Sequence, residues 1–573
     1  MNRDIDCFFI GHNEMNFGEF EKTVRKMGTH SGAYRDLNLN FINYNKKPYS
    51  LADFYNLLIS DSEDEISKNS NRYFNLGETF NAAITYLGTY VNRRGFTFDF
   101  VNSFQEHKDE LEKKLTGQRI RAVAIITTLY VTAIPIIEII NFVKKHNSHA
   151  RIIVGGPFVS TQCRTLDAIE LEYLFESIGA DFYVNSSQGE TALVNLLHAI
   201  KNHLPVDRIN NIYYRDRTAN GFAFTGASRE DNKLSENPVN WALFSARAGQ
   251  YVNVRTAVSC PFSCAFCGFP EHAGKYQTTT VEEIEKELNR LSEINSVEDI
   301  HFIDDTFNVP VKRFKEILRM MVKNGYNSRF RWHSHFRCQF SDREMVALMK
   351  ESGCEGVFLG LESGNPQILK NMNKKADKEK YLEGIALLKE YGITTFASFI
   401  IGFPGETGET VKETRQLIET CGVDFYRAQL WYCETVTPIW REREKYGIEG
   451  RNFEWRHSTM DSKTAADLID DMFLSIDQST WVPQYNFDFD NLFHLANRGM
   501  TIEQIKAFLT GFNQGVREKL SSGTQNEVSV QALEQMLKAC LPHHHFGNNL
   551  EPKSDLTGNK RLKHLNSEVE FNF

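Results

Sequence analysis

Short apolar runs alternate with segments of helical periodicity along the first two hundred residues. The strand-like runs are IDCFFIG (5–11), FTFDFVNSF (96–104), AVAIITT (122–128), RIIVGG (151–156), DFYVNS (181–186) and NIYYRD (211–216). Apolar runs separated by helical segments are typical of βαβ units, in which helices cover both faces of a parallel sheet. The pattern predicts an open α/β sheet over residues 1–216, with a ligand crevice beyond the carboxyl ends of its strands.

Two segments interrupt this alternation. Residues 18–95 are too long for one crossover helix and are rich in Asn, Tyr and Phe, so we predict an insertion that carries two or three helices. Residues 217–250 are polar and contain glycine, which predicts a linker.

A second alternating series begins near Val252. Its strand-like runs are NVRTAVS (253–259), DIHFID (299–304), FRWHSHF (330–336), GVFLGLE (356–362), TTFASFIIG (394–402) and DFYRAQLWY (424–432). Six strand–helix units favour a partial (β/α)6 barrel over residues 251–450 rather than a second open sheet. The remainder, residues 451–573, is predicted to be mainly helical, with a flexible tail after about Leu541.

Charge and targeting signals narrow the class of protein. The 573-residue chain has 65 Lys and Arg against 74 Asp and Glu, a formal charge of −9, which gives no electrostatic reason to expect a nucleic-acid partner. The first residues lack the features of an export signal. The apolar stretch 122–140 is interrupted by Pro135 and Glu138, so a buried strand followed by a helix explains it better than the alternative, a transmembrane segment. We therefore expect a cytoplasmic protein with no membrane partner.

Three of the ten cysteines, Cys260, Cys264 and Cys267, directly follow the first strand of the second series. Without an export signal, this spacing indicates metal or catalytic use. Three thiolates on one loop suit a [4Fe–4S] cluster held at three corners, because cluster irons prefer thiolate ligands and the fourth iron then lacks a protein ligand. Structural zinc, with His272 as a fourth ligand, and unconnected core cysteines are the alternatives.

The spacing Cys-x3-Cys-x2-Cys, with Phe266 before the third cysteine, resembles the radical S-adenosylmethionine (SAM) superfamily, and the likeness spans roughly residues 250–440. IHFIDDTFNV, GVFLGLESGNPQILKNMNKK and FIIGFPGETGETVKET resemble, in order, its second, fourth and fifth strand motifs. The resemblance implies that the open iron chelates SAM and that an electron from the cluster cleaves SAM to a 5′-deoxyadenosyl radical.

The same resemblance assigns SAM contacts residue by residue. The matching positions are Asp304 and Asp305 for the SAM ammonium, Glu362 and Ser363 for the ribose, and Gly402 and Gly405 for close backbone approach. Acidic residues at strand ends are also often solvated or cap the next helix, and two glycines also make a tight turn, so structural roles are the alternatives.

Part of the first series resembles the Rossmann-like cobalamin-binding domain that precedes many radical SAM barrels. The similar segments are RIIVGGPFVS (151–160) and GADFYVNSSQGETAL (179–193). The resemblance implies cobalamin contacts by Gly155, Gly156, Ser186, Ser187, Gly189 and Glu190. The sequence departs from the commoner pattern, in which two acidic–glycine pairs occupy the place of SSQGE.

The axial ligand of the cobalt is a separate expectation. The Asp-x-His-x-x-Gly motif that supplies a lower axial histidine in other cobalamin enzymes does not occur in the sequence. His12 ends the first strand-like region but lacks the Asp and the Gly at the required spacing. We expect cobalamin without a histidine axial ligand, with coordination by His12 as the alternative.

Four further sequence segments narrow the resemblance to one branch of the cobalamin-dependent (class B) radical SAM methyltransferases. This branch contains the phosphinothricin-pathway P-methyltransferase. The segments are FIGHNEMNF (9–17), AYRDLNLNFI (33–42), LWYCETVTPIW (430–440) and WVPQYNFDFDNLF (481–493). The resemblance implies methyl transfer from SAM, via methylcobalamin, to an unactivated carbon or an H-phosphinate phosphorus. The acceptor would be a peptide or a small natural-product precursor, and an electron donor such as flavodoxin or ferredoxin is implied.

Three other functions are weighed against this one. A cobalamin-dependent radical SAM cyclase or rearrangement enzyme would carry the same motifs without transferring methyl. A methylthiotransferase is disfavoured, because Cys7 and Cys163 are the only cysteines before Cys260 and a second cysteine trio is therefore missing. A metal-stabilised binding protein would hold zinc and would not cleave SAM.

Overall fold

The computed structural model describes residues 4–61, 73–216, 221–485, 487–522 and 527–540. The predicted flexible tail after Leu541 lies outside the described residues. Two seven-stranded sheets organise the chain: one in the amino-terminal region and one in the centre. Together with the helices that follow most strands, they confirm the predicted α/β class.

The amino-terminal region contains the first sheet. The strands of this region are β1 (Asp4–His12), β2 (Phe41–Tyr44), β3 (Lys47–Ser50), β4 (Phe98–Ser103), β5 (Arg119–Ile126), β6 (Arg151–Gly155), β7 (Phe182–Val184), β8 (Ile212–Asp216) and β9 (Gly221–Phe224), of which β2 and β3 pair only with each other. Its helices are α1 (Phe17–Arg25), α2 (Gly32–Asn38), α3 (Leu51–Asp61), α4 (Ala82–Arg93), α5 (Lys108–Gly117), α6 (Ile134–His146), α7 (Pro157–Thr165), α8 (Ala168–Ile178) and α9 (Glu190–Asn202).

The first sheet has the order β4-β1-β5-β6-β7-β8-β9. The first five of these strands are parallel, whereas β8 and β9 are antiparallel additions. Strand β9 lies within residues 217–250, so the segment with the linker-like sequence contains an edge strand.

Helices bury both faces of this sheet. In β1, Phe8 and Ile10 belong to one core cluster, while Cys7 and Phe9 belong to the cluster on the opposite face. This parity explains the continuous apolar run, because alternate residues of a strand point to opposite faces. The apolar stretch 122–140 forms the end of β5 and the start of α6, and within the described residues no helix has the length and apolarity needed to cross a membrane.

The central region contains the second sheet. The strands of this region are β10 (Tyr251–Val254), β11 (Ala257–Val258), β12 (Gln277–Thr278), β13 (Asp299–Phe302), β14 (Arg331–Phe336), β15 (Cys354–Glu362), β16 (Thr394–Ile401) and β17 (Phe425–Leu430), of which β11 and β12 pair only with each other. Its helices are α10 (Phe269–Ala273), α11 (Val281–Ser292), α12 (Val311–Lys323), α13 (Arg343–Glu351), α14 (Pro366–Asn371), α15 (Lys378–Glu390), α16 (Gly408–Cys421) and α17 (Arg443–Tyr446).

The carboxyl-terminal region combines short strands with longer helices. They are β18 (Glu449–Arg451), β19 (Glu454–His457), β20 (Met460–Asp461), β21 (Thr480–Trp481), α18 (Ser462–Ser475), α19 (Phe489–Asn497), α20 (Ile502–Ser522) and α21 (Val530–Cys540). Strands β18 to β20 form a small antiparallel sheet of their own.

The second sheet is parallel throughout, in the order β10-β13-β14-β15-β16-β17-β21. The six predicted strands occur in chain order, as expected for a partial barrel. Strand β21 adds a seventh that the sequence did not predict, because two residues are too short to give a periodic signal.

The chain divides into two compact units. The first comprises residues 1–14, 30–36 and 75–491, and therefore contains both large sheets. The second comprises residues 15–29, 37–74 and 492–573. Within the second unit, Lys519 of α20 donates hydrogen bonds to the backbone oxygens of Asn38 and Phe41, at 2.7 and 2.6 Å. Part of the segment 18–95 is thus packed with helices from the far end of the chain.

Candidate functional site

A cavity of about 750 Å³ lies between the two large sheets of the first unit. The first sheet contributes residues at and beyond the carboxyl ends of β5, β6 and β7. Among them are the predicted cobalamin-binding residues Gly155, Gly156, Ser186, Ser187, Gly189 and Glu190. The barrel contributes β10, β11, α10, α11 and the two aspartates after β13. The cavity is within the size range of ligand pockets.

Bare backbone forms the wall of the cavity next to β6. Gly156 has a φ of +121°, and a Cβ there would stand 2.8 Å from Oγ1 of Thr127. That hydroxyl donates a hydrogen bond to the backbone oxygen of Gly155, at 3.0 Å. A side chain at 156 would therefore be strained and would collide with β5, so a glycine keeps this sheet edge open to a ligand.

The loop after β7 supplies polar groups to the same wall. Gly189, with a φ of +81°, precedes α9, and Glu190 is the first residue of that helix. Glu190 is buried and accepts a hydrogen bond from Asn232, at 3.3 Å. Burial raises the pKa of Glu190 above its usual range. A glycine-lined edge followed by this polar loop fits a large ligand with amide and phosphate groups, such as cobalamin.

The three cysteines lie on the loop between β11 and α10, at the barrel end of the cavity. Their neighbours Ser259 and Phe269 line the cavity. Cys264 is buried, and Cys260 and Cys267 are half-buried. Burial raises the pKa of Cys260, and it raises the pKa of Cys267 to about 12. Because cluster ligands must be deprotonated, loading this loop with iron would release protons.

Within the described residues, no three His, Cys, Asp or Glu side chains stand in an arrangement that would enclose a metal ion as they are. The donor chemistry of the loop nevertheless fits an iron–sulfur cluster, since three soft thiol donors occur within residues 260–267. His272, the fourth ligand of the zinc alternative, has Nε2 at 3.3 Å from the hydroxyl of Thr161 on α7.

Arg337, at the end of β14, holds the cysteine loop in place. Its guanidinium donates a hydrogen bond to Sγ of Cys264 at 3.2 Å and another to the backbone oxygen of Lys374 at 3.0 Å. The same group stacks over the ring of Phe262, at 3.6 Å from its centroid. These contacts fix the position of Cys264 and of the loop that carries it. Arg337 was missed by the sequence analysis, because a single arginine after a strand carries no spacing signal.

The two adjacent aspartates differ in their surroundings. Asp304 is buried and accepts hydrogen bonds from the backbone amides of Thr256 and Ala257, at 2.7 and 2.9 Å, and from the Thr256 hydroxyl. It therefore ties the end of β13 to the residues that precede the cysteine loop. Asp305 is open to the cavity, yet the crowded walls around it and the charge of Asp304 raise its pKa to about 7.

The fourth-strand motif lies away from this cavity. Glu362, with a φ of +66°, is buried and pairs with Nζ of Lys374 at 2.8 Å. Ser363 is fully buried in the turn after β15, where its hydroxyl lies 3.3 Å from that of Thr414. Neither residue lines the 750 Å³ cavity. The segment after α14 instead contacts the cysteine loop, since the amide of Ala265 donates to the oxygen of Met372 at 2.8 Å.

The fifth-strand motif forms a tightly packed turn. Gly402 and Gly405 both have positive φ angles, and a Cβ at 402 would collide with Trp455. A Cβ at 405 would stand 2.5 Å from Nδ2 of Asn371. Glu406 is fully buried and accepts a hydrogen bond from the Gly402 amide at 2.5 Å, and burial raises its pKa to about 8. Packing alone thus requires both glycines here.

His12 and Trp431 are both packed against aromatic side chains. His12 stacks on Tyr130 with ring centroids 5.3 Å apart, and burial lowers its pKa to about 4. It does not line the cavity. Trp431 is buried against Phe403 and Trp455, with ring centroids at 5.5 and 5.1 Å. Trp431, in the segment 430–440, is therefore part of the packed interior.

Comparisons with known proteins agree with this architecture. Residues 254–418 match the model of the radical SAM superfamily. An uncharacterised methyltransferase of Pyrococcus horikoshii is 25% identical over 334 residues, which cover 55% of this chain and 68% of that protein. The anaerobic magnesium-protoporphyrin IX monomethyl ester cyclase of Cereibacter sphaeroides is 23% identical over 63% of this chain, but the match covers only 60% of the cyclase.

The fold is also similar to solved structures that cover most of both chains. One of them is the radical SAM methyltransferase TsrM of Kitasatospora setae, with cobalamin and a [4Fe–4S] cluster bound. The TM-score is 0.58 at 16% sequence identity, over 80% of this chain and 96% of TsrM. At this identity the likeness concerns the fold. Residues 254–418 thus match the radical SAM superfamily, and the chain has a fold similar to that of a radical SAM methyltransferase solved with cobalamin and a [4Fe–4S] cluster bound.

Proposed function

We propose that this protein is a cobalamin-dependent radical SAM methyltransferase that moves a methyl group from SAM, via cobalamin, to an acceptor that is not a nucleophile. The observation that carries the proposal is one cavity that is lined by the glycine-rich edge of the first sheet and, next to the three cysteines, by Ser259, Phe269 and Asp305 of the barrel. Methyl transfer through two cofactors requires both to reach one solvent-restricted space.

In this proposal Cys260, Cys264 and Cys267 hold a [4Fe–4S] cluster, and Arg337 positions Cys264 through its hydrogen bond to Sγ. Asp305 binds the ammonium of SAM, because its carboxylate is open to the cavity. Asp304 positions the cysteine loop, since its oxygens already accept hydrogen bonds from Thr256 and Ala257. When bound, the cluster and cobalamin would supply the electron that cleaves SAM and the carrier that delivers the methyl group.

The first sheet would hold the cobalamin. Gly155 and Gly156 allow backbone approach, and the loop Ser186, Ser187, Gly189 and Glu190 borders the same space. We further propose that no histidine binds the lower face of cobalt. His272 is the one histidine among the described residues that line the cavity, and it belongs to the barrel rather than to the first sheet.

For the acceptor we propose an unactivated carbon or an H-phosphinate phosphorus in a small natural-product precursor or a peptide. The support is the resemblance of residues 9–17, 33–42, 430–440 and 481–493 to the branch that contains the phosphinothricin-pathway P-methyltransferase. Reductive cleavage of SAM needs an external electron, so we propose a flavodoxin or ferredoxin as the donor.

A second candidate function is a cyclisation or rearrangement that uses the same cofactors without methyl transfer. The observation that favours it is the 23% identity to the magnesium-protoporphyrin IX monomethyl ester cyclase, over 63% of this chain. The mass of the product distinguishes the two functions, because methyl transfer adds one methyl group and a rearrangement adds none.

The test is anaerobic reconstitution with iron, sulfide and cobalamin, followed by incubation with SAM that carries a deuterated methyl group. A methyltransferase yields S-adenosylhomocysteine and 5′-deoxyadenosine together, and it places the labelled methyl on the acceptor. Protein reconstituted without cobalamin is the control, and it forms no labelled product. An acceptor that is consumed without gaining the label would reject methyl transfer in favour of the second function. Absence of both SAM products would reject both functions.

A further inference from the structure

One wall of the cavity carries a positive charge that the proposed SAM and cluster contacts do not use. Arg255, between β10 and β11, lines the cavity, and its guanidinium stacks on the ring of Tyr86 at 4.6 Å from the centroid. Within the described residues, no carboxylate lies within ion-pair distance of Arg255 and the guanidinium makes no hydrogen bond. A half-buried guanidinium in a concave site is a strong donor for an anion.

The acidic residues on the same wall have other partners. Glu190 accepts from Asn232, Glu287 accepts from Nε1 of Trp241 at 3.0 Å, and Glu283 accepts from the amide of Thr280 in a helix cap. Burial also raises the pKa of Glu287 to about 7, which weakens its negative charge near neutral pH. The charge of Arg255 is therefore only partly compensated.

The position of Arg255 separates it from the cysteine end of the cavity. Arg255 stacks on Tyr86, which belongs to helix α4 of the amino-terminal region. Its charge acts on Tyr86, Glu190 and Glu287, whereas the cation that acts on Cys260 is Arg337. Arg255 therefore lies nearer to the part of the cavity that borders the first sheet than to the three cysteines.

Resting on the proposed cobalamin site, we infer that Arg255 binds the phosphate of the nucleotide tail of cobalamin. The phosphodiester is the anionic group of cobalamin that lies outside the corrin ring, and guanidinium–phosphate pairs are among the strongest charge-assisted hydrogen bonds. Arg255 would thereby connect the barrel to a cofactor that is otherwise held by the first sheet.

The test compares cobinamide phosphate with cobinamide, which share the corrin and differ in the phosphate. Affinities are measured by anaerobic visible-absorption titration of the full-length protein. Wild type should bind cobinamide phosphate about ten-fold or more tightly than cobinamide, as expected for one charge-assisted hydrogen bond to an ion. In Arg255→Gln this preference should disappear while the affinity for cobinamide stays within about two-fold of wild type. Arg255→Lys should retain part of it.

Arg94→Gln is the matched control, because Arg94 stacks on Tyr90 of the same helix, at 3.3 Å from the ring centroid, but does not line the cavity. It should keep the full preference. An equal affinity of wild type for the two corrinoids would overturn the inference without any variant. An Arg255→Gln variant that still prefers cobinamide phosphate as strongly as wild type would also overturn it. The same holds if Arg255→Gln loses affinity for cobinamide phosphate and for cobinamide to an equal extent. Failure of wild type to bind cobalamin itself would instead remove the proposed function.

Discussion

Two neighbouring aspartates with the same sequence signal have different chemical environments. Asp304 is saturated with hydrogen-bond donors from Thr256 and Ala257, whereas Asp305 is open to the cavity with a pKa raised to about 7. A carboxylate that already accepts three hydrogen bonds has little capacity left for a ligand. The structure therefore places Asp304 in a hydrogen-bond network and leaves Asp305, in the same motif, facing the cavity.

We predict that Asp304→Asn lowers the free energy of unfolding by about 1–3 kcal/mol, because the amide NH₂ must face donors that it cannot satisfy. Asp305→Asn should leave stability within about 0.5 kcal/mol of wild type, since a cavity-facing side chain lies away from such a network. It should instead weaken SAM binding. Urea denaturation and equilibrium dialysis with SAM measure the two effects. Equal destabilisation by the two substitutions would contradict the division of roles.

Arg337 gives a second prediction at this scale. Arg337→Gln removes the cation at 3.2 Å from Sγ of Cys264 and the stacking on Phe262. A hydrogen bond to a charged group contributes about 1.5–3 kcal/mol, so we expect a clear loss of cluster occupancy after anaerobic reconstitution. Iron per chain and the visible cluster absorption measure it. Arg343→Gln, which breaks an exposed pair with Glu390, is the control and should retain full iron. Full iron in Arg337→Gln would exclude this role.

At the scale of elements, the turn between β16 and α16 shows how packing can reproduce a functional motif. Gly402 is confined by Trp455, and Glu406 closes the turn by accepting from the Gly402 amide. Both residues belong to the segment that resembles the fifth-strand motif, yet their contacts are within the protein. A motif match at this turn therefore does not by itself establish a ligand contact.

The buried carboxyl of Glu406 makes stability depend on pH. Its pKa is raised from 4.5 to about 8 in the folded chain. Between these values the folded state keeps a proton that the unfolded state loses, so this group's stabilisation is full below about pH 4.5 and is lost as the pH rises through 8. We predict that Glu406→Gln, which resembles the protonated acid, gains stability relative to wild type across this window, on the order of a few kcal/mol.

Denaturant midpoints at pH 5 and pH 8.5 measure this effect as a difference between variant and wild type. Glu409→Gln is the control, because the side chain of Glu409 is 81% exposed near the start of α16, the helix that follows the turn. The difference for this control should be the same at both pH values. A Glu406→Gln curve that runs parallel to wild type would show that the carboxyl is already ionised in the folded state.

At the scale of the whole molecule, the residues proposed to hold the two cofactors belong to separate sheets of one unit. The cysteine loop belongs to the barrel, whereas the glycine-rich edge belongs to the first sheet. Each sheet has its own core and its own hydrogen-bond ladder. Loss of one cofactor should therefore not remove the other.

We predict that combined replacement of Cys260, Cys264 and Cys267 by Ala abolishes the cluster and SAM cleavage and leaves cobalamin bound. Iron analysis, 5′-deoxyadenosine formation and the visible spectrum of the corrinoid measure the three properties on one sample. Cys421→Ala, a buried cysteine on α16, is the control and should retain all three. Normal iron content and SAM cleavage in the triple variant would contradict the proposal that these three cysteines hold the cluster.

The sequence alone determined the α/β class, the strand order along the chain and the cysteine loop, because all three depend on local periodicity and spacing. Strand periodicity follows from alternate burial, and the cysteine spacing reflects the reach of one short loop. It did not determine the packing of the 18–95 segment with α20, in which Lys519 binds backbone oxygens of residues 38 and 41. No local pattern encodes a contact between residues more than four hundred positions apart.

Which polar residues face the cavity depends on the tertiary structure. Asp304 and Asp305, or Gly156 and Gly402, look alike in the sequence but differ in their neighbours. Arg255 and Arg337 belong to no motif, and only distant segments of the chain place an aromatic ring, a thiol or the cavity beside them. Free energies of burial, charge and hydrogen bonding depend on these neighbours, which the fold assembles from separate parts of the chain.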